Sequence, residues 1–300
     1  MRKMRGSRRV LLVQLADLGD LMLAGPAITH LRHTHPEDRF TLLTKPSNEA
    51  LASHLADDLL LADKNLFDDP FSILRPRALT VLARLGWKLR RARYEEVIIF
   101  HHLVTRWGRL KFAALALATG APVRRGLDNG HGWFLTDAVT DRGFGARHEA
   151  GYFGALSKGT EPVPLHVDRE AARRLLHDKE VRGAFVLMHP GSGTYSTARR
   201  WPLEFFGEVA DQLWHERRLR TVVVGGAGEE ALAAKLVAGR DGWTSSVAGM
   251  TELPALAGLL SESILFVGND GGVAQLAFLL CRPSVVIYGP TSPATWGPQS

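Results

Sequence analysis

The sequence predicts an α/β protein of two doubly wound domains, each built around a parallel sheet. Three observations predict it. Short apolar, β-rich runs alternate with helix-period segments along the chain, the pattern of βαβ units. At 300 residues the chain can bury two cores of ordinary size. A stretch with two prolines near its start and then a charged, helix-like run, GTEPVPLHVDREAARRLLHDKEVRG (159–183), reads as a linker with a flanking helix. The expected division is a first domain over 1–160, a linker over 161–183 and a second domain over 184–300. The last strand is followed by a turn and no closing helix, as if some C-terminal structure were absent.

In the first half, strands are expected near 9–14, 39–44 and 96–101, where apolar runs follow polar boundaries. Helices are expected near 24–34, 48–55, 78–92 and 107–119. The second half alternates more cleanly. Strands are expected at AFVLMHP (184–190), RTVVVGG (220–226), TSSVAG (244–249), SILFVGND (263–270) and SVVIYGP (284–290). Between them lie helices over 202–217, with proline in the first turn, 229–239, ending at glycine, 252–260 and 273–280. Two such domains would leave a cleft between the carboxyl ends of their sheets, where open α/β sheets bind ligands.

Composition narrows the classes. Hydrophobic residues make up 45% and charged residues 23%, an ordinary soluble balance. No apolar run approaches the roughly 18 residues of a membrane span, and the basic N-terminus lacks the apolar stretch and cleavage site of a signal peptide. A single cysteine, Cys281, excludes an intramolecular disulfide and fits a cytoplasmic setting; at the end of an apolar helix it is expected to be a buried small hydrophobe. The net charge of +6 favours anionic partners.

Four loops follow expected strands: ADLGDLMLAGPA (16–27), HPGSGTYSTARRW (189–201), GGAGEE (225–230) and GNDGGVAQLA (268–277). In the first, Asp17 and Asp20 flank a glycine at a strand-to-helix seam, either as caps or as carboxylates facing a ligand. In the second, Ser192, Thr194, Ser196, Thr197, Arg199 and Arg200 precede a helix; small residues let backbone amides approach an oxyanion, and arginines bind phosphate. The third is close to G-x-G-x-x-A, but lacks the acid expected about 20 residues on; Glu229 or Glu230 either reaches a ribose hydroxyl or caps the helix. In the fourth, Gly271 and Gly272 let a ligand sit against a helix N-terminus, with Asp270 accepting from hydroxyls or capping. Gln275 falls off the Val273–Leu276–Leu280 stripe and on its own reads as a surface residue. His30, His33, His35, His101 and His102 lack metal-ligand spacing, and no metal site is expected.

Four segments resemble the heptosyltransferase family in order: LGDLMLAGPAITHLRHTHPEDRFTLLT, HPGSGTYSTARRWPLEFFGEVADQL, VVVGGAGEE and SVAGMTELPALAGLLSESILFVGNDGGVAQLAFLLCRPSVVIYGPTSPATWGP. Weaker similarity runs through YEEVIIFHHLVTRWGRLKFAALALATGAPVRRGL and RHEAGYFGAL. The resemblance implies the GT-B arrangement and an inverting, metal-independent and cofactor-free transfer of heptose from ADP-heptose to a lipopolysaccharide core or another anionic cell-surface glycan. It implies that Asp20 is the general base and that Asp17 has no comparable role. Arg199 stands where the family has a phosphate-contacting lysine, with Ser192 and Arg200 alongside. Met250 falls at the adenine pocket and Glu229 at the ribose-binding acid. The family's GNDSGPMHLA corresponds to GNDGGVAQLA: Asp270 and Gly272 are kept, Gly271 replaces a hydroxyl residue and Gln275 replaces histidine.

Nucleic acid is not an expected partner. The basic residues Arg2, Lys3, Arg5, Arg8 and Arg9 suit peripheral contact with the cytoplasmic face of the inner membrane, or form a functionless tail. Two other readings remain: a degenerate homologue that binds nucleotide or glycan without transfer, and an NAD-dependent oxidoreductase using the GGAGEE turn.

Overall fold

The computed structural model describes residues 7–63, 76–193 and 197–298. The chain divides into two compact units, residues 1–164 and 165–300. The stretch 161–183 contributes to both. Val163 packs on Gly25 in the first unit, while 169–178 forms a helix in the second.

In the first unit, strands β1 (Arg9–Val13), β2 (Arg39–Thr44), β3 (Asp58–Leu61), β4 (Glu96–Ile99), β5 (Val123–Asp128) and β6 (Asp137–Thr140) form one parallel sheet in the order β3-β2-β1-β4-β5-β6. The central strands are buried nearly throughout, as two-sided coverage by helices demands. Those helices are α1 (Leu18–Thr34), α2 (Glu49–Leu55), α3 (Pro76–Ala92), α4 (Arg106–Thr119) and α5 (Glu149–Ser157). Leu11, Val13, Val97 and Ile99 meet Leu89 of α3 and Phe112 of α4 in one buried cluster.

The second unit opens with α6 (Arg169–Asp178), capped by the Asp168 carboxylate, which accepts from Ala171 N–H at 2.8 Å. Strands β7 (Phe185–His189), β8 (Arg220–Val223), β9 (Thr244–Ser246), β10 (Leu265–Asn269) and β11 (Ser284–Ile287) form a parallel sheet ordered β11-β10-β7-β8-β9. Helices α7 (Leu203–Arg217), α8 (Glu230–Val237), α9 (Leu253–Glu262), α10 (Gly272–Leu279) and α11 (Pro293–Trp296) complete it. Its core joins Val186, Met188, Phe206, Val223 and Leu236.

Three expectations need correction. Helix α1 starts at Leu18, six residues before the expected start, so Pro26 lies in the helix interior rather than its first turn. Cys281 is exposed and adopts a left-handed φ of 51°, because α10 ends before it and the chain turns there. Gln275 is buried, since α11 covers that side of α10 and the Gln275 Nε2 donates to the Trp296 carbonyl at 2.7 Å.

Candidate functional site

Both sheets reverse strand order beside their first strand, between β1 and β4 and between β7 and β10. Such a switch point splays the loops after the two strands and makes room for a ligand at their carboxyl ends.

In the first unit, the loop after β1 is tied to the loop after β4. Gln14 Nε2 donates to the Phe100 carbonyl at 3.0 Å, and Gln14 Oε1 accepts from Ala16 N–H at 3.0 Å. Leu15 N–H donates to His101 Nε2 at 2.7 Å. Asn48 Nδ2 donates to the Ala16 carbonyl at 3.0 Å. This bracing fixes the chain just before α1, whose first turn carries Asp20, half-buried. Asp17 occupies the N-cap position, but its carboxylate pairs with Lys45 and makes no cap bond. The two acids of the opening loop are thus distinct: one is held by a surface ion pair, the other sits inside the helix start.

A buried charged cluster lies at the same end of the sheet. His102 Nδ1 meets Asp141 Oδ2 at 2.8 Å, and His102 Nε2 meets both Glu149 oxygens at 3.0 Å. Two carboxylates require two ring donors, hence an imidazolium. Burial works to lower the His102 pKa, but the Glu149 and Asp141 bonds and charges outweigh it and raise it above the ordinary 6.5. A raised folded-state value gives a stability contribution fully present below about pH 6.5 and lost as pH rises through the folded value. The urea midpoint should therefore fall as pH is raised above 6.5, and His102→Gln should flatten that slope. An unchanged slope in the variant would assign the dependence to other groups.

In the second unit, the loop 190–193 after β7 is braced from two sides. The Glu229 carboxylate accepts from His189 Nε2 at 3.0 Å, Ser192 N–H at 3.1 Å, Gly193 N–H at 3.0 Å and Gly226 N–H at 2.9 Å. A Cβ on Gly191 would lie 2.0 Å from Glu229 Oε1, so a side chain there would push the carboxylate off its partners. Burial works to raise the Glu229 pKa; the His189 bond and charge and the Gly226 and Gly193 amides overcome this and hold it at about 2. On the other side, Asn269 Nδ2 donates to the Pro190 carbonyl at 2.8 Å and the Gly191 carbonyl at 3.1 Å. Its Oδ1 accepts from Trp201 N–H at 2.9 Å.

The donor-side candidates sort around this frame. Ser192 is buried, and its Oγ accepts from Arg200 Nε at 3.1 Å. Asp270 is buried at the β10–α10 corner, with Arg199, Thr291 and Tyr288 around it. Burial pushes the Asp270 carboxyl up, against the opposing influence of the Thr291 hydroxyl and the Arg199 charge. Burial and the Asp270 charge push the Tyr288 phenol up to about 12. Gly271 has extended backbone, and a Cβ there would meet nothing within 4 Å, so open space lies at the head of α10 beside Gly272. Met250 is exposed beyond the end of β9. Thr194 and Ser196 lie outside the described residues, as do Arg2, Lys3 and Arg5. Arg8 is engaged internally with Asp38 and Glu96, and Arg9 with the Ala92 carbonyl.

Sequence reasoning missed the supporting residues: Asn269, His189, His101 and Gln14 as braces, and Tyr288 and Thr291 beside Asp270. A buried asparagine at a strand end was the one available signal, since such a group needs partners for both ends of its amide.

The model of glycosyltransferase family 9 (heptosyltransferase) matches residues 82–300. Lipopolysaccharide heptosyltransferase 2 of Salmonella typhimurium is 29% identical over 232 residues, which cover 72% of this chain and 66% of that protein. Lipopolysaccharide heptosyltransferase 1 of Pseudomonas aeruginosa is 25% identical over 303 residues, 96% of this chain and 81% of its own length. Among solved structures, the ADP-heptose lipopolysaccharide heptosyltransferase II of Escherichia coli has a TM-score of 0.75 at 21% identity, covering 97% of this chain and 88% of that one. The E. coli heptosyltransferase WaaC with ADP-2-deoxy-2-fluoro heptose has a TM-score of 0.73 at 21% identity, covering 95% and 90%. At such identities the structural likeness speaks for the fold.

Proposed function

The chain belongs to glycosyltransferase family 9, and from that membership we propose that it transfers heptose from ADP-heptose to a lipopolysaccharide-core or other anionic cell-surface glycan, with inversion and without metal or cofactor. Its two parallel-sheet units have the GT-B fold. In this reading residues 1–160 hold the acceptor and residues 184–300 the donor.

The acceptor hydroxyl attacks the anomeric carbon while Asp20 takes its proton. The bond to the diphosphate breaks, and the electron pair leaves with the phosphate oxygen. Arg199 and Arg200 and the N-terminal amides of α10 meet that developing charge. Arginine at 199 retains the charge of a phosphate-binding lysine and adds a two-pronged geometry. Asp270 accepts from donor-sugar hydroxyls beside the open Gly271 and Gly272. Ser192 orients Arg200, Met250 packs on the adenine, and Gln275 holds α11 beside the phosphate end. Glu229, with four bonds already accepted within the fold, supports the donor by shaping the loop at 190–193.

The observation that supports this reading best is the corner at 269–272, where a buried carboxylate, an open glycine and a nearby guanidinium converge at a helix N-terminus. Calorimetric titration with ADP, GDP, UDP and NAD in magnesium-free buffer tests it. ADP should bind preferentially, and Arg199→Ala should weaken it roughly tenfold or more, the usual cost of a bond to a charged group. Preference for NAD would overturn the reading. One rival, nucleotide binding without transfer, predicts ADP binding with no heptose transferred. Among the described residues no helix is long and apolar enough to cross a membrane; contact with the cytoplasmic face of the inner membrane is peripheral in this proposal.

A further inference from the structure

Helices α3 and α4 pack side by side over the same core cluster of the first unit. On α3, Leu82, Leu85 and Leu89 face that core. Stepping 100° per residue from them leads to an outer face centred on Trp87, 60% exposed, with Arg84, Lys88 and Arg91 around it. The Arg91 guanidinium lies 5.0 Å from the Trp87 ring centre. On α4, Phe112, Ala113 and Ala116 face inward, while Leu110 and Leu117 stand out at 57% and 47% exposure, two turns apart.

The charge on this stretch is predominantly positive. Between Pro76 and Leu127 there are eleven arginines and lysines against two acids, Glu95 and Glu96. Neither acid belongs to the two helices, and Glu96 is buried between Arg8 and Arg125. An exposed leucine by itself is ordinary. A tryptophan and leucines on two adjacent helices that carry eight arginines and lysines and no acid of their own are a different matter. Tryptophan partitions to the headgroup level, leucine to the acyl boundary, and lysine and arginine reach for lipid phosphates. Nucleic acid would satisfy the cations but leave the apolar side chains facing phosphate and water.

We propose that the outer face of α3 and α4 docks this protein on an anionic phospholipid leaflet. This surface shares no residue with those assigned to transfer, so the proposal stands whether or not the donor is ADP-heptose. The basic N-terminal stretch is then not the main anchor; Arg8 and Arg9 already serve internal contacts.

Co-sedimentation of the full chain with phosphatidylcholine vesicles, with and without phosphatidylglycerol, tests the proposal. Binding should require phosphatidylglycerol and weaken with salt. Each basic side chain near such a surface strengthens binding about fivefold, so Arg84→Gln, Lys88→Gln and Arg91→Gln together should weaken it on the order of a hundredfold. Trp87→Ser with Leu110→Ser should weaken it too, at unchanged melting temperature because both sites are exposed. A control variant with Arg2, Lys3 and Arg5 changed to Gln should retain most binding. Failure of the parent protein to bind, loss confined to the N-terminal variant, or full displacement by RNA at equal charge would overturn the proposal.

Discussion

Replacing Asp20 by asparagine should lower the rate of sugar transfer about 10²- to 10⁴-fold while leaving ADP affinity unchanged. The magnitude is that of a general base removed from a transition state in which a poor nucleophile must lose its proton. Asparagine keeps the size and a hydrogen-bonding oxygen, so the first turn of α1 remains intact. Asp17→Asn supplies the contrast. Its carboxylate is exposed and paired with Lys45, an arrangement that contributes little to stability, and the proposed reaction gives it no part. Transfer measured with both variants, alongside calorimetry with ADP, separates the roles. Comparable losses from both, or loss of ADP binding with Asp20→Asn, would sink the assignment of Asp20 as base.

The second large effect is on stability. Glu229→Ala should cost about 3–5 kcal/mol, because it removes the acceptor of a buried histidine and of three backbone amides at once. Glu229→Gln should cost less, since its carbonyl oxygen still accepts while its amide group opposes the remaining donors. The same carboxylate gives an acid limb. Its folded pKa of about 2 lies below the ordinary 4.5, so its contribution is complete above pH 4.5 and is lost as pH falls toward 2. The full shift corresponds to about 3 kcal/mol. Urea unfolding between about pH 5.5 and about pH 2.5, an interval that starts above the ordinary value and ends near the folded one, would show this, and Glu229→Gln should remove most of the slope. A parent and variant that lose stability in parallel would mean the acid limb belongs elsewhere.

Much of the fold was legible because its central strands are buried on both faces. RVLLV, RFTLLT and FVLMH carry the apolar density that two-sided burial demands, and the second unit alternates strand and helix with glycine or proline at the borders. What escaped was charged or lay at a sheet edge. Strand β5 reads VRRGLD, with Arg125 bonded to Glu96 and Asp137; β6 reads DAVT and β3 DLLL, both at sheet edges and only partly covered. Helix α5 has its glutamate buried against His102, which a helical wheel reads as an outward position. The start of α1 escaped because Gly19 between two acids reads as a loop, although Asp20 in a first turn suits the positive helix end.

At the site, the motif order identified the loops, but not the bonds that hold them. Ser192 and Arg200 were legible as a pair of polar residues near a helix; their mutual bond was not. Glu229 was legible as an acid at a helix start, yet three of its four partners come from the end of β7 and the loop after it, 36 to 40 residues earlier. Long-range pairings of this kind leave no local period for a single sequence to display.

The double bracing of residues 190–193 has an entropic consequence. Ordering a free loop costs about 1–2 kcal/mol of backbone entropy per residue. Glu229 and Asn269 impose that order when the second unit folds, before any nucleotide arrives. Nucleotide binding, as proposed above, then need not be diminished by the same loss, and the loop presents its backbone in one arrangement rather than many. In the proposed function, affinity at this site is therefore set partly by two side chains that spend their hydrogen bonds on the protein.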